Sequence, residues 1–515
     1  MNLHKYLLLL LCLGLLFACK KEIKNPPNPI TEEPTEQDRL RASIYDYFNK
    51  YSLWTAQVPD LDEEGRLEFV KKYSSNQSLL TTLKNMTPQY SFQPYQTLDI
   101  AVGNRYDRYS FIDESGAEGN VSYADGFRMD TNDGYGLYFY WGYIEEENSA
   151  RPVIYFVEGG SPGQQKGIKR GLTVLAINER ENTSVPVIYR NGGYYLSDED
   201  LAQEIQDEWY DAMMDEESDL SLKFRDQEGE ISEYVMKYTP SYEIDPVILD
   251  SVYTYPNKNV GYLAYSSFEE VWPNSHQNYR KLEQIFQTFE SAGIRDLILD
   301  LRYNPGGYVD AAEYLANKII GASGDQQLMF SYETNDYLAA GRSLPVGLDF
   351  GNVTFNRKNN LNLDKVLVLV TEQTASASEL LISVLKPYMN VVLIGDEPRT
   401  YGKPVGFFEQ KIPNSEVSLW AASFKTMNNA QTEEDRKFQN YWDGLPIATT
   451  EIVPDRIFYD FGDTNEDMIA KALTLAGVSG SMRASSRKIS STSSPVKLGI
   501  INKPRERNML KKRDQ

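Results

Sequence analysis

Histidine is nearly absent from this chain of 515 residues, which has only His4 and His276. That excludes a histidine-rich zinc site, and it leaves room for one Ser-His-Asp constellation at most. No H-E-x-x-H motif occurs, and the many carboxylates offer at best surface calcium sites, so no metal or other cofactor is expected. Cysteine is equally scarce. Cys12 and Cys19 both lie in the first nineteen residues, so the body of the chain has no thiol for a disulfide or for thiol catalysis. It must rest on its apolar core. The apolar run ending at Cys19 starts at Tyr6, shorter than the roughly 20 residues of a membrane-spanning helix. A formal charge of −22 works against nucleic acid as a partner.

What is present begins with that run. Residues 1–18 have a short lysine-bearing head and a leucine-rich stretch, the make-up of a signal peptide. L-F-A-C followed by K-K-E resembles a bacterial lipobox. The resemblance implies lipidation at Cys19, loss of residues 1–18 and a place in the bacterial cell envelope, at the outer membrane. Residues 19–38 are proline-rich and polar, a disordered tether. Residues 479–515 make a basic tail, with ten lysines and arginines against Glu506 and Asp514. Disorder is expected there, with no assigned task.

Between tether and tail there is length for two or three domains. Residues 39–110 read as helical, with Leu40, Ile44, Tyr47 and Leu53 on roughly one face, and packing support is their expected role. Residues 111–200 read as β-rich, with an aromatic strand after Gly136 and a G-G-S-P turn before a short helix. This pattern resembles a PDZ domain. The resemblance aligns Gly136, Leu137, Tyr138 and Phe139 with a carboxylate-binding loop, whose amides form a nest for a peptide's C-terminus. A β-rich insert without a ligand would explain the same pattern.

Residues 201–478 alternate buried strands and helices from about Val252 onward, which predicts an α/β core with ligands at the strand C-terminal ends. Two loops at such ends carry chemistry. Asn304-Pro305-Gly306-Gly307 follows one strand, and Thr374-Ala375-Ser376-Ala377-Ser378-Glu379 follows another and opens an apolar helix. Ser376 alone would be sufficient as a helix cap. Together with Lys403, in the turn Tyr401-Gly402-Lys403, the set points instead to a serine nucleophile with a lysine base. The Ala377 amide and a glycine amide from 306–307 would meet an oxyanion. Lysine is a poor base when solvated, so the turn must bury it.

The order of these motifs resembles the tail-specific, or C-terminal processing, serine proteases of the S41 peptidase family. V-G-Y-L at 260–263, L-I-L-D-L-R-Y-N-P-G-G at 297–307, T-A-S-A-S-E at 374–379 and G-K at 402–403 carry the likeness. It implies a ClpP/crotonase-like sheet covered by helices, with Ser376 as nucleophile, Lys403 as base, and Ala377, Gly306 and Gly307 as oxyanion donors. Some members orient the lysine through a polar residue shortly beyond it. This chain has Phe407 there, which leaves Glu379 as the candidate orienting residue. The implied substrates are envelope proteins or peptides with exposed C-termini. The alternative is a catalytically impaired, lipid-anchored scaffold that only binds peptides. A Ser-His arrangement using His276 and a glycosidase are weaker rivals.

Overall fold

A central five-stranded sheet has the order Val247–Tyr255, Lys258–Tyr265, Asp296–Asp300, Lys365–Val370 and Val391–Gly395. The first pair is antiparallel and the remaining pairings are parallel. The inner strands Asp296–Asp300 and Lys365–Val370 are covered on both faces, which is why they read as near-continuous apolar runs, whereas Val247–Tyr255 at the edge is mostly half-buried or exposed. Leu297, Leu299, Val366, Val368 and Val370 face helices Gln277–Ala292, Val309–Ile319 and Ala377–Leu385. Ile298, Leu367 and Leu369 face helix Asp467–Leu475 on the other side. The computed structural model describes residues 33–90, 104–114, 131–190, 193–341, 348–478 and 509–510. Among them no helix is long and apolar enough to cross a membrane.

Three helices, Glu36–Tyr51, Glu63–Val70 and Asn76–Met86, precede the sheets. The first begins inside the stretch read as tether, because Thr35 and Asp38 close a reciprocal capping box at its start. Ile44, Tyr45, Phe48, Leu79, Leu80 and Leu83 pack with Ile412 and Leu419, so this region shares a core with residues far along the chain.

A seven-stranded sheet is built from Leu137–Ile144, Ser149–Val157, Thr173–Ile177, Val185–Arg190, Gly193–Leu196, Leu220–Arg225 and Ile231–Met236. It therefore runs past residue 200, where the sequence placed its end. Helix Glu199–Met214 packs Trp209 against Phe139 beneath it. Phe111–Asp113, assigned to the same unit from sequence, pairs instead with Ser418–Trp420. The signal peptide, Cys19 and the tether up to residue 32 lie outside the described residues. So does the tail, except Met509–Leu510, which forms a short strand where no structure was expected.

Candidate active site

Three loops leave neighbouring parallel strands of the central sheet and are stitched to one another. They follow Asp300, Val370 and Gly395. The Ala375 amide and the Ser378 hydroxyl both donate to the Asn304 carbonyl, at 3.1 and 3.0 Å. Thr374 Oγ1 donates to the Leu301 carbonyl at 2.8 Å, and the Tyr401 amide donates to the Thr374 carbonyl at 3.1 Å. The glycine loop, the serine loop and the lysine turn are thus one hydrogen-bonded unit.

Ser376 turns sharply into its helix at φ 60°, ψ −115°, a region that non-glycine residues rarely occupy. Its side chain is fully buried, and Oγ has no hydrogen-bond partner. Ser376 is the N-cap of the helix, in a capping box with Glu379, and its backbone amide donates to the Glu379 carboxylate at 2.9 Å.

Glu379 is the centre of the arrangement. Oε2 accepts from the Ser376 amide and from the Lys403 amide at 2.8 Å, while Oε1 accepts from the Gly402 amide at 2.8 Å and from Thr400 Oγ1 at 2.6 Å. Complete burial pushes its carboxyl up to about 7, although the four donors pull the other way. One buried carboxylate thus fixes the backbone on which Ser376 sits and the backbone on which Lys403 sits. Lys403 is buried at 3% exposure, with its ammonium 5.2 Å from the centre of the Tyr109 ring.

Of the two glycines, Gly306 has its amide engaged by Asn304 Oδ1 at 3.0 Å. Its use is close approach, since a Cβ there would lie 2.7 Å from Ser376 Cβ. Among the described residues the Gly307 amide has no acceptor. The Ala377 amide opens the helix and has no partner within it.

Gly136 adopts φ 66° and packs against Ser161, where a Cβ would collide. Leu137 and Phe139 are buried under helix Glu199–Met214. Tyr138 points the other way and packs on Phe156, whose ring in turn meets Tyr303, the residue just before Asn304. His276 stands apart from this unit, capping helix Gln277–Ala292 through Nδ1.

Sequence reasoning missed several supports of the lysine turn. Tyr109 Oη donates to the Gly402 carbonyl at 2.6 Å, and Arg108 reaches the Gly402 and Trp442 carbonyls at 3.2 and 3.1 Å. Thr400 bonds Glu379 and accepts from the Leu445 amide. A buried ionic knot underlies the glycine loop. Arg302 pairs with Asp300 and Asp455, and Arg170 reaches Asp455 and Tyr303. The D-L-R before the glycine loop was the only local signal for any of these.

The model of peptidase family S41 matches residues 259–439. Carboxyl-terminal-processing peptidase 3 of Arabidopsis thaliana, a chloroplastic protein, is 29% identical over 143 residues, covering 28% of this chain and 24% of that protein. Carboxy-terminal processing protease CtpA of Bacillus subtilis is 28% identical over 160 residues, covering 31% of this chain and 29% of that protein. The aligned part therefore spans under a third of these relatives' own length. A crystal structure of a "Putative S41 protease" from Bacteroides fragilis shares the fold, with a TM-score of 0.55 at 21% identity, covering 85% of this chain and 97% of that one.

Proposed function

We propose that this chain, a member of peptidase family S41 through its core at residues 259–439, is a serine endopeptidase that cuts proteins near their C-termini. The observation that carries the reading is Glu379, which ties the amides of Ser376 and Lys403 to one buried carboxylate while the Ser376 hydroxyl is left unpaired. A structural serine in a core would have its hydroxyl bonded. A hydroxyl kept free on a strained turn, beside a held lysine turn, suits a nucleophile waiting for its substrate.

In this reading neutral Lys403 takes the proton from Ser376 Oγ as that oxygen bonds to the peptide carbonyl carbon. The π electrons move to the carbonyl oxygen, where the Ala377 and Gly307 amides donate to it. Such a donor is worth about 10²–10³ in rate. Collapse breaks the C–N bond, and the amine leaves with the proton that Lys403 held. Lys403 then takes a proton from water as the water oxygen bonds to the acyl ester carbon; collapse breaks the bond to Ser376 Oγ, Lys403 returns the proton to that oxygen, and the new C-terminal acid leaves. Gly306 brings the loop close to the serine, and Glu379 positions the lysine turn.

The remaining assignments belong to the same proposal. The seven-stranded sheet acts as a PDZ-like unit that selects free C-termini through Gly136–Phe139. The helical region supports the core, and Cys19 anchors the chain by lipid in the bacterial envelope on a tether. A serine-reactive probe should label the wild type and not Ser376→Ala. Ser376→Ala and Lys403→Ala should each lower cleavage of an unfolded test protein by about 10³-fold or more while leaving the fold intact. Wild-type cleavage by either folded variant would exclude the dyad. A wild type that binds peptides, takes no label and cleaves nothing would instead be a scaffold.

A further inference from the structure

Strand Val405–Phe407 starts two residues after Lys403. On one side it pairs antiparallel with Phe424–Asn428, with Gly406 opposite Phe424. On its other side lies Met509–Leu510, in parallel, with Met509 opposite Gly406 and Leu510 opposite Phe407. Those two residues lie in the basic tail, well beyond the last helix at Asp467–Leu475. Without them Val405–Phe407 would be the border of its sheet among the described strands, with a row of amides and carbonyls open to an added strand.

We infer that the free side of Val405–Phe407 is where a substrate chain is laid out past Ser376 and Lys403, and that the chain's own C-terminal segment around Met509–Leu510 occupies it in cis, in competition with substrate. The inference rests on the peptidase reading. Its support is placement and direction. The lysine turn and this strand are continuous, and the turn is tied to the serine through Glu379. Because the pairing is parallel, a chain on this edge runs back toward Lys403 in its N-terminal direction. Peptide bonds just before the paired residues would therefore meet the dyad, and the paired residues would lie on the leaving side. That is the arrangement required of an enzyme that removes a C-terminal piece.

Charge and tethering favour the chain's own tail as occupant. Lys503, Arg505, Arg507, Lys511, Lys512 and Arg513 flank the paired residues, whereas the whole chain stands at −22. A segment tethered to its site competes at an effective concentration reaching the millimolar range, so a weak two-residue pairing can hold against dilute substrate.

Deletion of residues 503–515 tests this. Removing the competitor should lower KM for an unfolded protein substrate by about threefold or more, with kcat nearly unchanged. A synthetic peptide of residues 503–515 should inhibit the shortened enzyme competitively. The same peptide with Met509→Pro and Leu510→Pro should not, because proline removes ladder donors. Independently of activity, hydrogen exchange at 405–407 should quicken when the Ser376→Ala chain loses residues 503–515. Unchanged KM together with unchanged exchange would overturn the inference while Ser376→Ala still reports the peptidase. Hydrolysis that survives Ser376→Ala would overturn the peptidase reading, and exchange would still report whether the tail sits on this strand.

Discussion

At the scale of single residues, Glu379 carries the most consequence, because every group around its carboxylate is a donor. Glu379→Gln sets an amide NH2 against backbone amides that need an acceptor. Leaving one or two buried amides unpaired costs about 1–3 kcal/mol each. The expected outcome is a folded protein whose kcat falls about 10- to 100-fold with KM little changed, read by steady-state kinetics. Acidity should act on the same bracket. The carboxyl rises from 4.5 to about 7 on folding, through burial above all. A folded value above the unfolded one means the neutral acid favours the fold. That stabilisation is complete below about pH 4.5 and is lost as pH rises through about 7. Activity should run the other way, since a protonated Glu379 can no longer accept from all four donors. Between pH 7 and 5 the wild type should therefore lose kcat/KM while its melting temperature rises relative to Glu379→Gln. A pH-independent melting difference would contradict the burial argument.

At the scale of elements, the strands that sequence reasoning placed best are those buried on both faces. Lys365–Val370 and Asp296–Asp300 read as unbroken apolar runs, and the chemical loops hang from their ends. Ser376, Lys403 and Glu379 were legible because their motifs are local. The supports of the lysine turn were not, since Tyr109 and Gly402 lie 293 positions apart and nothing near either one names the other. The extent of the seven-stranded sheet was missed for a different reason. Ile231–Met236 leaves Ile231 and Val235 exposed and buries only Met236, so its pattern is not that of a core strand. Met509–Leu510 is too short to carry any periodicity. One expectation belongs to the Gly136–Phe139 loop, which in the PDZ-like reading meets a peptide's terminal carboxylate. Amidating the C-terminus of a peptide substrate should therefore weaken binding about tenfold, measured by titration with Ser376→Ala. Equal affinity for the acid and the amide would show that this loop does not choose substrates.

At the scale of the whole molecule, separate parts converge on Asp455. It receives Arg170 from the seven-stranded sheet unit at 2.6 Å and Arg302 from the central sheet at 2.8 Å. It also accepts from the Tyr303 hydroxyl, next to the glycine loop. Burial opposes the charge on Asp455, but the two guanidinium groups outweigh it and hold the carboxyl at about 2. The sign follows from a folded value below the unfolded one. Its stabilisation is present above about pH 4 and fades as pH falls through about 2. A long-range charged joint of this kind is costly to break, because a buried guanidinium is left without its counter-charge. Asp455→Ala should cost about 3–5 kcal/mol, and Asp455→Asn, which keeps the shape and an acceptor, should cost less. Because Tyr303 leads into Asn304, the surviving folded Asp455→Asn molecules should also cleave more slowly, with hydrogen exchange quickened at 301–307. Denaturant unfolding of the two variants, followed by activity per folded molecule, separates these effects. If Asp455→Ala unfolds at the wild-type midpoint and cleaves at the wild-type rate, the ionic knot neither joins the two sheets nor steadies the glycine loop.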